Sequence, residues 1–265
     1  MPDRRQIITL TTDFGEADYY VPAVKGVIRT LCPPAEIIDI THLIPPHDIY
    51  TAAFTLLCCY RDFPKQTIHM VVVDPGVGSR RRPILVAAGD YIFIGPDNGV
   101  FSYIYDQEVN SHVTHLTSEH YFRQPVSDTF HGRDVFAPVA AAVAKGVEGR
   151  MLGDEIDDPV RFNIPRPAAV SPRQIRAAVI HVDRFGNIIT NITRAELAGV
   201  MSAGPVKVRI GKHETSRLLT HFAEAGQNEL FFYFGSAGFL EVAVAKQPAA
   251  KLIEARRGME VIIEF

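Results

Sequence analysis

Tryptophan is absent from this 265-residue chain and cysteine occurs only three times. No apolar run approaches the roughly 18 residues needed to span a bilayer. Cys32, Cys58 and Cys59 are odd in number and two are adjacent, which is neither a disulfide framework nor a zinc pattern. Cys58 and Cys59 lie in the apolar stretch TAAFTLLCCY, so core packing is their expected use. The ten histidines are scattered without metal-ligand spacing, and no HExxH occurs. The glycine-rich segment after Asp74 is not a dinucleotide fingerprint, because Arg81 stands at the last glycine of GxGxxG, and no cofactor is expected. A large excess of either charge is also missing. The formal net charge of −3 argues against a nucleic-acid binder working through a basic field, and Arg80 to Arg82 is too short a run to change that. There is no internal repeat and no low-complexity tract. The N-terminus, MPDRRQIITL, leads straight into a strand with no signal-peptide core, so the cytoplasm is the expected compartment and no membrane partner is expected.

What remains is an ordinary globular composition, 47% hydrophobic and 22% charged, long enough for one large domain or two smaller ones. In the first half, strand-like and helix-like segments alternate. QIITLTT, EIIDIT, TIHMVVVD and PILVAAGDYIFIG read as strands, while Asp18–Leu31, Ile49–Tyr60 and Asp134–Lys145 read as helices. This order predicts an α/β domain with a mainly parallel sheet over residues 1–160. From Asp158 to Arg173 come Pro159, Pro165, Pro167 and Pro172 with little periodicity, read as a stiff linker at 161–174. Residues 175–265 hold some six short strand-like segments, with short helices near Arg194–Ala198 and Gln247, and predict a smaller all-β, barrel-like domain.

Six segments carry candidate chemistry. In VVVDPGVGSRRRPI an apolar strand ends in Asp74, followed at once by a glycine-rich turn and three arginines. Strand ends leading into loops are where rigid scaffolds present reactive groups. Asp74 is either such a group or a turn residue paired with an arginine. Asp13 in DFG follows a strand and either binds a diol such as a ribose or caps the next helix. His131 and Asp134 lie in FHGRD. Asp134 is also readable as an N-cap or first-turn carboxylate, and His131 as a structural histidine. Asp97 and Asn98 in PDNG read first as a turn. Asp183 and Asn187 in DRFGN, and Ser236 in FGSAG, are turn residues or polar-ligand contacts.

Taken in order, these segments resemble the family of S-adenosylmethionine (SAM) hydrolases, chlorinases and fluorinases over nearly the whole chain. The resemblance implies an N-terminal α/β domain, a C-terminal β-barrel, and a homotrimer with active sites between neighbouring subunits. It implies that Asp13 holds the ribose hydroxyls and that Asp74, Arg81 and His131 form the trio of the water-using branch. It further implies that Asp183 and Ser236 meet the methionine amino and carboxylate groups, and that Asn187 meets adenine. The fluorinase branch carries TFYS where this chain has TFHG, with His131 and Gly132 replacing the tyrosine and the halide-binding serine. No long insertion of the fluorinase kind lies between Tyr91 and Phe130. Both departures point to water over fluoride. Gly132 leaves chloride less firmly excluded, because the chlorinase branch also has glycine there. Asp97, Asn98 and the arginine run match the family without an assigned role.

The chemistry implied is hydrolysis of SAM to adenosine and L-methionine. The leaving group is a neutral thioether, so no general acid is needed. A nucleophile aligned behind the ribose 5′-carbon is needed, and alignment contributes roughly 7–11 kcal/mol in favourable systems. Arg81 suits stabilisation of hydroxide, His131 suits base work near neutrality, and Asp74 suits orientation of either. Three rival readings stand beside this one: a halide-using enzyme on the same fold, a metal-dependent hydrolase ligated by Asp13, Asp74 and His131, and a non-catalytic SAM or nucleoside sensor.

Overall fold

The structure, a computed structural model, describes residues 6–201 and 204–265. Residues 1–5, which the sequence reading takes straight into the first strand, lie outside the described residues. The chain divides into two compact units, Met1–Asn163 and Ile164–Phe265.

The first unit contains β1 (Ile7–Thr12), α1 (Tyr20–Leu31), β2 (Glu36–Thr41), α2 (Ile49–Cys59), β3 (Ile68–Val72), β4 (Pro83–Ala88), β5 (Tyr91–Pro96), α3 (Ser102–Gln107), β6 (Ser111–Leu116), α4 (Ala137–Ala144) and β7 (Gly153–Ile156). Its sheet has the order β2-β1-β3-β5-β4-β6-β7. β2, β1, β3 and β5 pair in parallel. β4 is antiparallel to both β5 and β6, which turns β6 back into the direction of the parallel set. The mainly parallel α/β sheet expected from the sequence is therefore present. The reversal at β4 comes from a two-residue connection, Gly89 and Asp90, too short for a parallel crossover.

The apolar run of β3 is continuous because both faces are covered. Met70 and Val72 join one core with Val24 and Ile28 of α1 and Val139 and Ala140 of α4. Val71 and Val73 join the other with Ala52 and Leu56 of α2 and Ile104 of α3. Val21, Val24 and Ile28 form the buried stripe of α1, whose helix stops before Pro33 and Pro34. Asp48 caps α2, its carboxylate accepting from Thr51 N at 3.1 Å, a contact of about 1 kcal/mol. A single π-turn over Gly132–Phe136 precedes α4 where the sequence reading places ordinary helix from Asp134; such turns often sit at functional sites.

The second unit contains β8 (Ala168–Ser171), β9 (Gln174–Val182), β10 (Ile188–Thr193), α5 (Arg194–Met201), β11 (Lys207–Ile210), β12 (His213–Thr215), β13 (Leu230–Phe234), β14 (Phe239–Val244), α6 (Ala249–Ile253) and β15 (Glu260–Glu264). β8 lies inside the stretch read as linker and pairs with β9. Pro167 and Pro172 bound it, as an edge strand allows. The other strands follow the order β12-β11-β15-β9-β10-β14-β13 and pair antiparallel. The two ends approach each other, with Thr215 Oγ1 donating to Leu230 O at 2.8 Å and a bridge between Leu218 and Phe232. The result is a nearly closed barrel-like sheet around Val179, Ile188, Phe232, Val242 and Val261. Burying each such side chain fully is worth roughly 1.5–3 kcal/mol.

Candidate active site

The ends of β1 and β3 bring Asp13 and Asp74 to one cleft of about 260 Å³ in the first unit, lined also by Phe14, Tyr20, His47 and Thr129. Asp13 is half-buried and accepts the His47 backbone N–H at 2.8 Å. Asp74 follows directly on the buried residues Val71 to Val73. The Asp74–Arg81 loop turns tightly. Its Gly78 has φ +75°, and a β-carbon there would lie 2.3 Å from Asp128 O, so no other residue fits.

Arg81 folds back over this loop. Its Nε donates to both Asp74 oxygens, at 3.0 and 2.9 Å, and its Nη2 donates to Asp74 Oδ2 as well. The same Nη2 lies 2.8 Å from His131 Nδ1. The two charged side chains are only 9% (Arg81) and 6% (Asp74) exposed, and the guanidinium carbon stands 5.3 Å from the Phe136 ring centre. Arg81 Nη1 is buried and has no hydrogen-bond partner among the described residues. An unpaired guanidinium nitrogen in such a setting is costly unless a ligand meets it.

His131 is lifted into place by its neighbours. Asp134, fully buried, accepts from Arg133 Nε at 2.7 Å and from Ser127 N at 3.0 Å, tying the 123–134 segment together. Burial opposes the charge of Asp134, but Arg133 and the Ser127 N–H outweigh it and hold the carboxyl below its usual range. Asp134 is thus a first-turn carboxylate, one of the two readings the sequence allows. It anchors the turn that carries His131. Burial, and then the charge of Arg81, push the His131 imidazolium equilibrium below its ordinary value. Both effects favour the neutral ring. Since Arg81 can only donate, Nδ1 is the acceptor and the ring proton sits on Nε2. Gly132 follows, with Phe14 Cζ 3.2 Å and Val72 Cγ1 3.4 Å from where a β-carbon would be. A serine there would crowd both.

The remaining predicted residues lie together in the second unit. Asp183, Asn187 and Ser236 line a cleft of about 670 Å³. Asp183 closes its own turn: Oδ1 accepts from Phe185 N at 2.9 Å and Asn187 N at 2.8 Å, and Oδ2 accepts from Asn187 Nδ2 at 2.8 Å. Gly186 has φ +83°, and a β-carbon would strike Pro248. Sequence reasoning missed Tyr233 and Glu241, which share this cleft. They face each other across β13 and β14, and Tyr233 OH donates to Glu241 Oε2. Burial raises the Glu241 carboxyl, and the nearby Asp183 charge adds to the rise. A glutamate inside the apolar segment FLEVAVA was the available sign. Among the described residues, no group of three or more His, Cys, Asp or Glu is placed to hold a metal ion.

Comparison with known proteins adds to this geometry. Residues 8–153 match the SAM hydroxide adenosyltransferase N-terminal domain family, and residues 177–262 match the corresponding C-terminal domain family. The chain is 36% identical over 261 residues to the (R)-S-adenosyl-L-methionine hydrolase of Methanocaldococcus jannaschii, covering 95% of this chain and 93% of the relative. It is 27% identical to a fluorinase of an Actinoplanes species, covering 97% of each. The crystal structure of an uncharacterized conserved protein from Thermotoga maritima superposes with a TM-score of 0.91 at 34% identity, covering 97% of this chain and 100% of that one.

Proposed function

We propose that this chain, which belongs to the SAM hydroxide adenosyltransferase family, hydrolyses SAM to adenosine and L-methionine by attack of hydroxide on the ribose 5′-carbon. The observation that carries the reading is the Asp74–Arg81–His131 constellation with one guanidinium nitrogen left unpaired.

Arg81 Nη1 is the natural partner of the attacking oxygen. Asp74 fixes the guanidinium through both carboxylate oxygens, and His131 Nδ1 fixes it from the other side. The cation is therefore aimed before substrate arrives, in a setting with little water, where electrostatic stabilisation is strongest. His131 Nδ1 is already occupied and Nε2 carries its proton. This favours hydroxide stabilised by Arg81 over proton removal by His131. Attack forms the carbon–oxygen bond as the carbon–sulfur bond breaks, and the pair of electrons stays on sulfur, giving the neutral thioether of methionine. No acid and no cofactor is required for that departure.

Asp13 is assigned to the ribose hydroxyls, Asp183 and Ser236 to the methionine amino and carboxylate groups, and Asn187 to adenine. These contacts divide between the two units of the chain. The homotrimer, in which each substrate would meet residues from two neighbouring subunits, rests on the family resemblance and not on this division. The cytoplasm is the compartment in which the reading places it, and among the described residues no helix is long and apolar enough to cross a membrane.

The test is incubation of the purified protein with SAM, with and without chloride, followed by identification of the nucleoside. Adenosine and methionine in equal amounts under both conditions support the reading. A 5′-chloronucleoside in chloride would move the protein to the halide-using branch. Tight binding without turnover would make it a sensor.

A further inference from the structure

We propose that the turn Asp97–Asn98 sets the geometry of the Asp74–Arg81 pair, making both residues positioning residues for the nucleophile. The proposal rests on the reading above that Arg81 and Asp74 act on the attacking oxygen.

The pair sits in the loop between β3, ending at Val72, and β4, beginning at Pro83. Gly76 and Gly78 give that loop backbone freedom. The PDNG turn grips it at both ends. Asn98 Nδ2 donates to Val73 O at 2.9 Å, and Val73 immediately precedes Asp74. Asn98 Oδ1 accepts from Val100 N at 3.2 Å, which fixes the orientation of the amide. Asp97 N donates to Arg82 O at 2.9 Å, and Arg82 immediately follows Arg81. Asp97 Oδ2 accepts from Arg82 Nε at 2.8 Å. Two consecutive turn residues thus hold the two residues that flank the pair, one on each side.

The second grip also separates the arginines. Arg82 is committed to Asp97 and to Asp158 Oδ1, the latter at 2.7 Å. It is kept away from Asp74, which is left to Arg81. Asp97 is itself held in place, its Oδ1 accepting from Val160 N at 2.8 Å and its side chain almost wholly buried. The hydrogen bonds that Asp97 and Asn98 make to this loop go to Val73 and Arg82, not to the side chains of Asp74 or Arg81. Their effect on the reaction passes through the loop.

Displacement of a catalytic group by about 1 Å costs on the order of a hundred-fold in rate. Asn98→Asp keeps the acceptor for Val100 N, removes the donor to Val73 O and sets a carboxylate against that carbonyl. Asp97→Asn keeps size and removes the charge that holds Arg82. Ser102→Ala is the control. Ser102 bonds the same turn at Gly99 O and accepts from Phe162 N, and these two hydrogen bonds do not run to Val73 or Arg82.

The experiment measures kcat and KM for SAM, with a thermal melt, for the parental protein and the three variants. N98D is expected to lose about a hundred-fold in kcat and D97N about ten-fold, with KM within about two-fold of parental for both. S102A is expected to melt at lower temperature and turn over at the parental rate. Parental kcat in N98D and D97N overturns the proposal, as does a loss confined to KM. A fall in S102A kcat equal to that of N98D at the same loss of melting temperature also overturns it. If N98D does not fold, D97N decides by the same criteria. Failure of the parental protein to turn over SAM defeats the functional reading itself, whereas parental turnover with unaffected variants defeats only this inference.

Discussion

Replacing Arg81 by lysine separates charge from geometry at the proposed nucleophile site. The guanidinium spreads its donors over three nitrogens. Nε holds both Asp74 oxygens, Nη2 holds Asp74 and His131, and Nη1 is left for the attacking oxygen. A lysine ammonium is one nitrogen on a flexible stem and cannot serve Asp74, His131 and hydroxide from those three positions. Losing one preorganised donor in a site of this kind typically removes ~2.7–4 kcal/mol of transition-state stabilisation, or about a hundred- to a thousand-fold in kcat. R81K is expected at the lower end of that range and R81A at the upper end. The substrate carries a sulfonium cation, so removing the guanidinium relieves repulsion in the ground state. KM should not rise, and kcat should fall at least as far as kcat/KM. Steady-state kinetics with a melting curve for each variant provide the assay, because the curve reports any cost of leaving Asp74 unpaired. Parental kcat in R81K, or a loss that appears as a raised KM, would refute the assignment of Arg81 to the transition state.

Three further outcomes follow from the same contacts. Asp183→Asn and Asp13→Asn should each raise KM with little change in saturated turnover, since each loses a charge-assisted hydrogen bond of about 1.5–3 kcal/mol; unchanged KM values would remove both residues from the binding site. Turnover should fall as pH drops through the depressed His131 value, below 6.5, because the protonated ring no longer accepts from Arg81 and repels it; a pH–rate profile flat through that range would contradict the pairing. His69 is fully buried, accepts or donates a hydrogen bond with Thr9 at 2.8 Å, stacks on Phe93, and burial lowers its value from 6.5 to about 4. Its folded value is depressed, so its stability contribution is complete above pH 6.5 and is lost as pH falls towards 4. The loss is on the order of 3 kcal/mol, to be seen in denaturant melts and to be absent in His69→Phe.

The parts of this fold and site that could be read in sequence were those encoded locally. Asp74 and Arg81 share one loop, so a strand ending in a carboxylate and followed by glycines and arginines already announced them. The strand–helix alternation announced the layers of the first unit. His131 lies fifty positions from Arg81, and only the ordered resemblance of motifs joined the two. The antiparallel position of β4 was hidden because its apolar residues look alike in either direction; only the two-residue connection at Gly89 and Asp90 betrayed it. Tyr233 and Glu241 were missed because their meeting depends on strand register, which no single segment specifies. Asp134 resembled a helix cap, whereas its burial and its arginine partners belong to tertiary structure.

The central claim is that water-derived hydroxide attacks the ribose 5′-carbon, and the most direct test is turnover of SAM in isotopically labelled water. The account predicts one labelled oxygen at the 5′ position of adenosine and none in methionine, with the same result when chloride is added. Unlabelled adenosine, label in methionine, or a halogenated nucleoside would contradict it.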